Sequence, residues 1–397
     1  MALENRLRNL LGNTLEDAFE SALNDLDAFV RKHIWDLADA YGRSSQYRED
    51  AFKKLDKSGV VLDSVAYLAN ILALNKYADK NKIRPDKFDQ YEVMRAPVNF
   101  FKQTFDPEKV DFRLHLEKSG KLYDTMIVEW NSVLKSGWEM NDKVSAKMIV
   151  PKRANSEKVE SLVVSCNGYR EPSHFFHEEM TKKLIEKGVA VLYFPMPFHM
   201  QRNPKGSLNG ALMINSDMKR NVGFPQAALD LFTVINCLDY KHNGIIGVSL
   251  GAVLGAEYTH LKIKEYNESN QSPGDIFKGF DVSVPIIGGS NISGIVDESV
   301  LFKVFRKLLT EDNKALMFGY DPGNIKIKIP VTDTYPVFAL YDTIVPIKYG
   351  EELKNKFQIP DSNCMWFPVG HKSIFLQQKE ISEFIPAVMR PYFNGEK

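Results

Sequence analysis

Beyond about residue 120 the chain alternates short apolar runs with helix-periodic stretches, and no other feature of its 397 residues restricts the fold as much. The runs "SLVVSCNG", "VAVLYFPMP", "GIIGVS", "FDVSVPIIG", "YPVFALYD" and "SNCMWFPV" read as strands. Between them, "FFHEEMTKKLIEKG", "FPQAALDLFTVINCLDY" and "AVLGAEYTHLKIKEY" read as helices, with a helical excursion near Ser299–Leu316 and a closing helix near Glu380–Tyr392. Strands buried on both faces appear as continuous aliphatic runs, and their alternation with helices predicts an α/β fold: a mostly parallel central sheet with helices on both faces. Upstream, "YDTMIVEW" and "SAKMIVP" predict an antiparallel opening pair. In such sheets functional residues gather at the carboxyl ends of the strands.

The first part of the chain has another texture. Leu15, Phe19, Leu23, Leu26, Phe29, Val30, Ile34 and Leu37 recur at helical steps behind a capping-box-like Thr14 and Asp17, and a second helical stretch runs from about Asp50 to Lys80 with a break near Gly59. We therefore divide the chain into an N-terminal helical arm, residues 1–95, and a larger domain, 96–397. The arm suggests packing or a homodimer through its helices; its acidic polar face argues against a membrane-surface helix. The most apolar run, "GVVLDSVAYLANILAL", is too short to span a bilayer and carries Asp63 and Asn70, so no stable membrane insertion is expected. No targeting segment is visible at the N-terminus. Lys+Arg and Asp+Glu both number 51, which supplies no basic face for nucleic acid. Cys166, Cys237 and Cys364 are widely spaced and form neither a zinc pattern nor a disulfide framework, which fits a reducing cytoplasm.

The chemistry centres on "GIIGVSLGAVLGA", Gly244 to Ala256. Gly247-Val248-Ser249-Leu250-Gly251 is a G-x-S-x-G pentapeptide that ends a strand and opens a helix. A serine pushed out of the sheet on a strained turn needs neighbours without side chains two residues before and two after it. Ala252, Gly255 and Ala256 then let the following helix lie close to the sheet.

This strand–turn–helix setting resembles the nucleophile elbow of the α/β-hydrolase superfamily, and the resemblance covers roughly residues 120–395. The resemblance implies a nucleophile, an acid and a histidine in that chain order. Of the eight histidines, His242, His260 and His371 lie near or after Ser249. His260 falls on the helix leaving the elbow, whereas His371, in "FPVGHKSIF", follows the last apolar strand. "VFALYDTIVP" puts Asp342 at a strand's carboxyl end in the D-x-x-V-P pattern the superfamily often shows, with Glu351, Glu352 and Asp361 as weaker alternatives. The implied oxyanion donors are the amide of Leu250 and one from "SCNGYREPSH", where Asn167-Gly168-Tyr169 stands in place of the family's His-Gly-x. The amide of Tyr169 or Gly168 is the expected second donor, and the departure from His-Gly leaves room for the Asn167 side chain.

The long connection "PMPFHMQRNPKGSLNGALMINSDMKRNVGFPQ" is expected over the mouth of the site. There His199 and Arg202 are placed to meet a substrate oxygen or carboxylate, and Met196, Met200, Leu212 and Met213 to line an acyl pocket; a loop histidine satisfied by the protein, and an Arg202–Asp217 pair, are the plainer readings. No cofactor or metal is expected: "FHEEM" at His177 is one histidine short of a zinc helix, and "GGSN" at Gly288–Asn291 is a loop without a binding-helix pattern. The function implied is a serine carboxylic ester hydrolase acting on a small-molecule ester or acyl substrate. Thioester, amide or peptide hydrolysis and acyl transfer use the same residues, and a non-catalytic scaffold is the rival class.

Overall fold

In the computed structural model, which describes residues 90–394 apart from 107, 153–157, 215–221 and 300–317, together with 53, 78 and 80–85, the apolar runs pair into one nine-stranded sheet. The strands are β1 (Arg113–Ser119), β2 (Tyr123–Asn131), β3 (Lys143–Pro151), β4 (Ser161–Cys166), β5 (Ala190–Phe194), β6 (His242–Val248), β7 (Val282–Ile286), β8 (Val337–Ala339) and β9 (Met365–Phe367). Their order is β1-β2-β3-β5-β4-β6-β7-β8-β9. β1, β2 and β3 pair antiparallel, β3 meets β5 antiparallel, and every pair from β5 to β9 is parallel. The helical arm expected for residues 1–95 falls almost entirely outside the described residues, and so does the excursion near Ser299–Leu316.

Period-two alternation sends successive side chains of one strand into two different cores. On β4, Leu162, Val164 and Cys166 join the core built with α1 (Pro97–Thr104), α3 (Gly223–Cys237), α4 (His260–Ser269) and α5 (Ile347–Lys356), while Val163 points the other way. That opposite core holds Phe176, Met180 and Leu184 of α2 (Phe175–Glu186) and Ile381, Ile385 and Met389 of α6 (Gln378–Phe393). Burial on both faces explains why these strands lack the polar alternation of a surface sheet. The expected antiparallel pair is present as β2 and β3, in register from Tyr123↔Pro151 to Asn131↔Lys143.

Among the elements not expected are α1, β1 and a helix after "GGSN". β1 is exposed along its whole length, so its two alternating leucines, Leu114 and Leu116, never form an apolar run. It is an edge strand, and its register shifts between Leu116 and Lys118, an irregularity of the kind that blunts a sheet edge. The "GGSN" stretch, expected as a plain loop, ends in Asn291 at φ 63°, whose side chain accepts from the Gly294 N–H and opens a helix over Ile292–Glu298.

The helix after Ser249 begins as a π-helical stretch, Ala252–Thr259, before α4 takes over. It carries Glu257 into a fully buried position, where Oε2 accepts from the Gly289 N–H at 3.1 Å and Oε1 has no partner among the described residues. Burial pushes the Glu257 pKa from 4.5 up to about 8. The native state therefore binds a proton between those values that the unfolded chain has released, and stability falls as pH rises through the window. Glu257→Gln removes that linkage: Tm should rise over wild type at pH 8, by about 1 kcal/mol or more of stability, and not at pH 4.5. An equal effect at both pH values in thermal melts contradicts this.

Candidate active site

β4 pairs with β5 on one side and β6 on the other, so the chain leaves it in both directions and a crevice opens at the carboxyl ends of β4 and β6. Ser249 follows β6 directly, at φ 51°. Its N–H donates to the Ile286 carbonyl at 2.9 Å, and its carbonyl accepts from Val253 at 3.0 Å, which fixes the turn from strand to helix. The two flanking glycines are sterically required. A Cβ on Gly247 would lie 2.2 Å from the Gly251 carbonyl oxygen, and one on Gly251 would lie 2.4 Å from that of Cys166. Gly255 likewise approaches Cys166, with its Cβ position 3.0 Å from Sγ. Because the Gly251 obstacle is backbone, Gly251→Ala should lower the urea midpoint by about 1–3 kcal/mol of stability and cost activity as well. A variant with wild-type stability and rate would show that the turn relaxes freely.

His371 meets Ser249 across the crevice. Its Nε2 lies 2.9 Å from Ser249 Oγ, and its Nδ1 lies 2.6 Å from Asp342 Oδ2. The ionised carboxylate only accepts, so Nδ1–H donates to it and Nε2 is left to take the Oγ–H. Asp342 Oδ1 accepts from the N–H groups of Ile344 and Val345 at 2.8 Å each, the physical content of the D-x-I-V-P pattern. Both Asp342 and His371 are buried. The ends of β8 and β9 are tied by Leu340 N–H to the Phe367 carbonyl and Tyr341 N–H to the Val369 carbonyl, both 2.9 Å. The alternatives are elsewhere: Glu351 and Glu352 sit on α5, where Glu352 accepts from Asn291, and Asp361 pairs with Lys354. His260 faces Asp333 at 3.3 Å, and His242 starts β6 at the opposite end of the strand from Ser249.

Of the expected oxyanion donors, Leu250 stands in the first turn after the elbow, where no intrahelical carbonyl reaches its N–H. The loop after β4 lies against the elbow, since a Cβ on Gly168 would be 3.6 Å from Ser249 Cβ. The Gly168 N–H is not available: it donates to Glu171 Oε2 at 2.5 Å. The Asn167 side chain is held in the loop, where Oδ1 accepts from Met196 N–H at 2.9 Å and Nδ2 donates to the Gly168 carbonyl at 2.8 Å. Tyr169, the other expected donor, follows Gly168 in this loop and is partly buried.

The loop after β5 corrects two expectations. Arg202 does not meet substrate; it is fully buried and its Nη2 donates to Asp230 Oδ2 at 2.8 Å. Its Nε donates to the Asn141 carbonyl and its Nη1 to that of Pro195. Burial raises the Asp230 carboxyl, and the Arg202 guanidinium with the Ser132 hydroxyl pulls it back. Asp217, the partner considered for Arg202, lies outside the described residues. His199 is fully buried too: Nδ1–H donates to the Pro197 carbonyl at 2.8 Å, and Nε2 accepts from the Arg170 N–H at 3.2 Å. Burial pushes its pKa down to about 4, so it is neutral. Met196, Leu212 and Met213 belong to the core rather than to an open pocket, while Met200, at φ 51°, is partly buried. Asp230 was missed, and the signal that could have found it is a lone carboxylate in the apolar "AALDLF" run; Glu171 carries no such signal. Among the described residues no group of three or more His, Cys, Asp or Glu could hold a metal ion, and no helix is long and apolar enough to cross a membrane.

No family model and no curated protein matches the sequence. Among solved structures, the chain is similar to an acetyl xylan esterase from Paenibacillus sp. R4, with a TM-score of 0.52, 14% identity and coverage of 77% of this chain and 97% of that one. Acetyl xylan esterase 1 from Thermoanaerobacterium sp. JW/SL YS485 gives a TM-score of 0.49 at 16% identity, over 76% of this chain and 95% of that one. At 14% identity the first of these likenesses speaks to architecture alone: the chain has the α/β-hydrolase fold.

Proposed function

We propose that the protein is a serine hydrolase that cleaves carboxylic esters through an acyl-enzyme on Ser249. The observation that carries this reading is the hydrogen-bonded row Ser249 Oγ, His371 Nε2–Nδ1, Asp342 Oδ2, at 2.9 and 2.6 Å. A serine hydroxyl becomes a competent nucleophile when a base within hydrogen-bond reach takes its proton as it attacks. Here Oγ bonds to the ester carbonyl carbon, its proton passes to His371 Nε2, and the carbonyl oxygen becomes an oxyanion. Asp342 keeps Nε2 unprotonated beforehand and stabilises the imidazolium that forms. The N–H groups of Leu250 and Tyr169 hold the oxyanion. His371 then returns the proton to the departing alkoxide, and water repeats the sequence to release the acid and restore Ser249.

The fold carries no substrate with it. The choice of esters rests on the triad, and thioester, amide and acyl-transfer chemistry would use the same residues. Three free thiols support a reducing compartment such as the cytoplasm. A fluorophosphonate probe tests the reading directly: wild type should be labelled and Ser249→Ala should not, and folded wild type that resists the probe overturns it. A panel of p-nitrophenyl esters graded by acyl length then defines the pocket.

A further inference from the structure

Glu257 is fully buried in the π-helical stretch of the helix that follows Ser249, and the triad does not use it. Its Oε2 accepts from the Gly289 N–H at 3.1 Å, and Gly288 packs so closely on the carboxyl that a Cβ there would collide with it. At the start of the same helix the Ser249 N–H donates to the Ile286 carbonyl at 2.9 Å. The nucleophile helix is therefore fastened at two points to the end of β7. Between those points the segment from Ile286 to Gly289 closes a ring.

The turn inside that ring is strained. Ile287 sits at φ 51°, a left-handed conformation that a β-branched residue keeps only where its surroundings impose it. On one side its N–H donates to the Val337 carbonyl of β8 at 2.8 Å. On the other, the Ser290 N–H donates to the Tyr349 carbonyl at 3.1 Å, and the Asp321 carboxylate accepts from the N–H groups of Asn291 and Ile292 at 2.8 and 2.7 Å. Glu257 supplies the hold at Gly289, between these ties. In the sheet β7 lies between β6, which ends at Ser249, and β8, which leads to Asp342. A shift of this turn therefore moves the backbone acceptor of Ser249 relative to the strands that carry its partners.

We infer that Glu257 is a positioning residue: its bond to Gly289 holds the strained turn after β7 in the form that keeps Ser249 in line with His371. The role rests on the ester-hydrolase reading above. It belongs to the neutral acid, because an ionised carboxylate would stand fully buried with a single donor, and burial favours the protonated form at pH 7. The helix carrying Glu257 packs against β4, β6, β7, α3, α4 and the turn Pro322–Asn324. Asp321, at the start of that turn, acts on it by charge, and a negative neighbour opposes ionisation. The remaining charged groups are engaged elsewhere. Asp230 of α3 pairs with Arg202, and His242 of β6 faces Asp281. On α4, His260 and Lys264 face Asp333 and Lys262 pairs with Glu265, while Cys166 of β4 is a neutral thiol.

Steady-state hydrolysis of p-nitrophenyl acetate by wild type, Glu257→Gln and Glu257→Leu tests this, with circular dichroism to confirm folding at each pH. At pH 7 Glu257→Gln, which keeps the acceptor oxygen, should hold kcat within about threefold of wild type. Glu257→Leu, which lacks it, should lose about tenfold or more in kcat with KM within about twofold. From pH 7 to pH 9.5 wild-type kcat should fall reversibly by about tenfold while that of Glu257→Gln stays level. Should Glu257→Leu not fold, the pH comparison of wild type with Glu257→Gln decides alone. A wild-type profile that stays level, or a Glu257→Gln profile that falls with it, overturns the inference. So does a folded Glu257→Leu with a lowered Tm and an unchanged kcat, the result of a merely structural role. Each of these, in a wild type that is active, leaves the ester-hydrolase reading standing. Wild type inert to both the ester and the fluorophosphonate overturns that reading and the inference with it.

Discussion

Ser249→Ala loses turnover by about ten-thousand-fold or more while its urea midpoint stays near that of wild type. The expectation follows from the geometry: Ser249 Oγ reaches His371 Nε2 at 2.9 Å, and the turn itself is held by backbone hydrogen bonds of Ser249 to Ile286 and Val253. His371→Ala should be about as damaging, and the double variant no worse than either, because the two groups act as one unit. Asp342→Asn is the informative third member. The Asn oxygen can still accept from Ile344 and Val345, but its amide turns a donor toward His371 Nδ1 and selects the wrong tautomer. A loss of about ten-thousand-fold with intact folding is expected. Losses that multiply across the double variant, or turnover surviving in Ser249→Ala, would remove the triad from the mechanism.

The largest stability effect should come from Arg202→Met. That change leaves the Asp230 carboxylate fully buried with only the Ser132 hydroxyl at 2.9 Å and the Trp130 indole at 3.5 Å, having lost the guanidinium at 2.8 Å. Removing one partner of a buried ion pair costs about 3–5 kcal/mol, since the remaining charge is uncompensated. Arg202 also gathers the carbonyls of Asn141 and Pro195, so the loop after β5 loosens with it. Replacing both members, as in Arg202→Met with Asp230→Leu, should recover much of the loss. Urea unfolding of the two single variants and the double decides the matter: a double variant as unstable as the sum of its parts would mean that the charges do not depend on one another.

The most legible strands are those buried on both faces: β4, β5, β6 and β7 announce themselves because nearly every position along them is buried, whichever core it points into. β1 failed that test for the converse reason: fully exposed, it has no burial to write into its sequence. Ser249, Asp342 and His371 stood out because each follows an apolar strand, and the glycines around Ser249 are dictated by contacts under 3 Å. His199 and Arg202 were open to two readings because a polar side chain in a long loop looks the same whether it turns outward to a ligand or inward to a partner. The partners that settled it, Asp230 and the carbonyls of Pro195 and Pro197, are either remote along the chain or part of the backbone, and backbone acceptors leave no mark on residue identity. Glu171 was missed for the same reason, its decisive contact being a main-chain N–H.

The distance along the chain between the two halves of the proton path has a consequence for biosynthesis. Ser249 and His371 are separated by 122 residues and by the strands β7, β8 and β9. A nascent polypeptide that has emerged only as far as β7 carries the elbow but no base, and its hydroxyl is as inert as any other serine. On the ester-hydrolase reading, reactivity would switch on only when the last strand docks, and the appearance of turnover during translation would time the closing of the sheet.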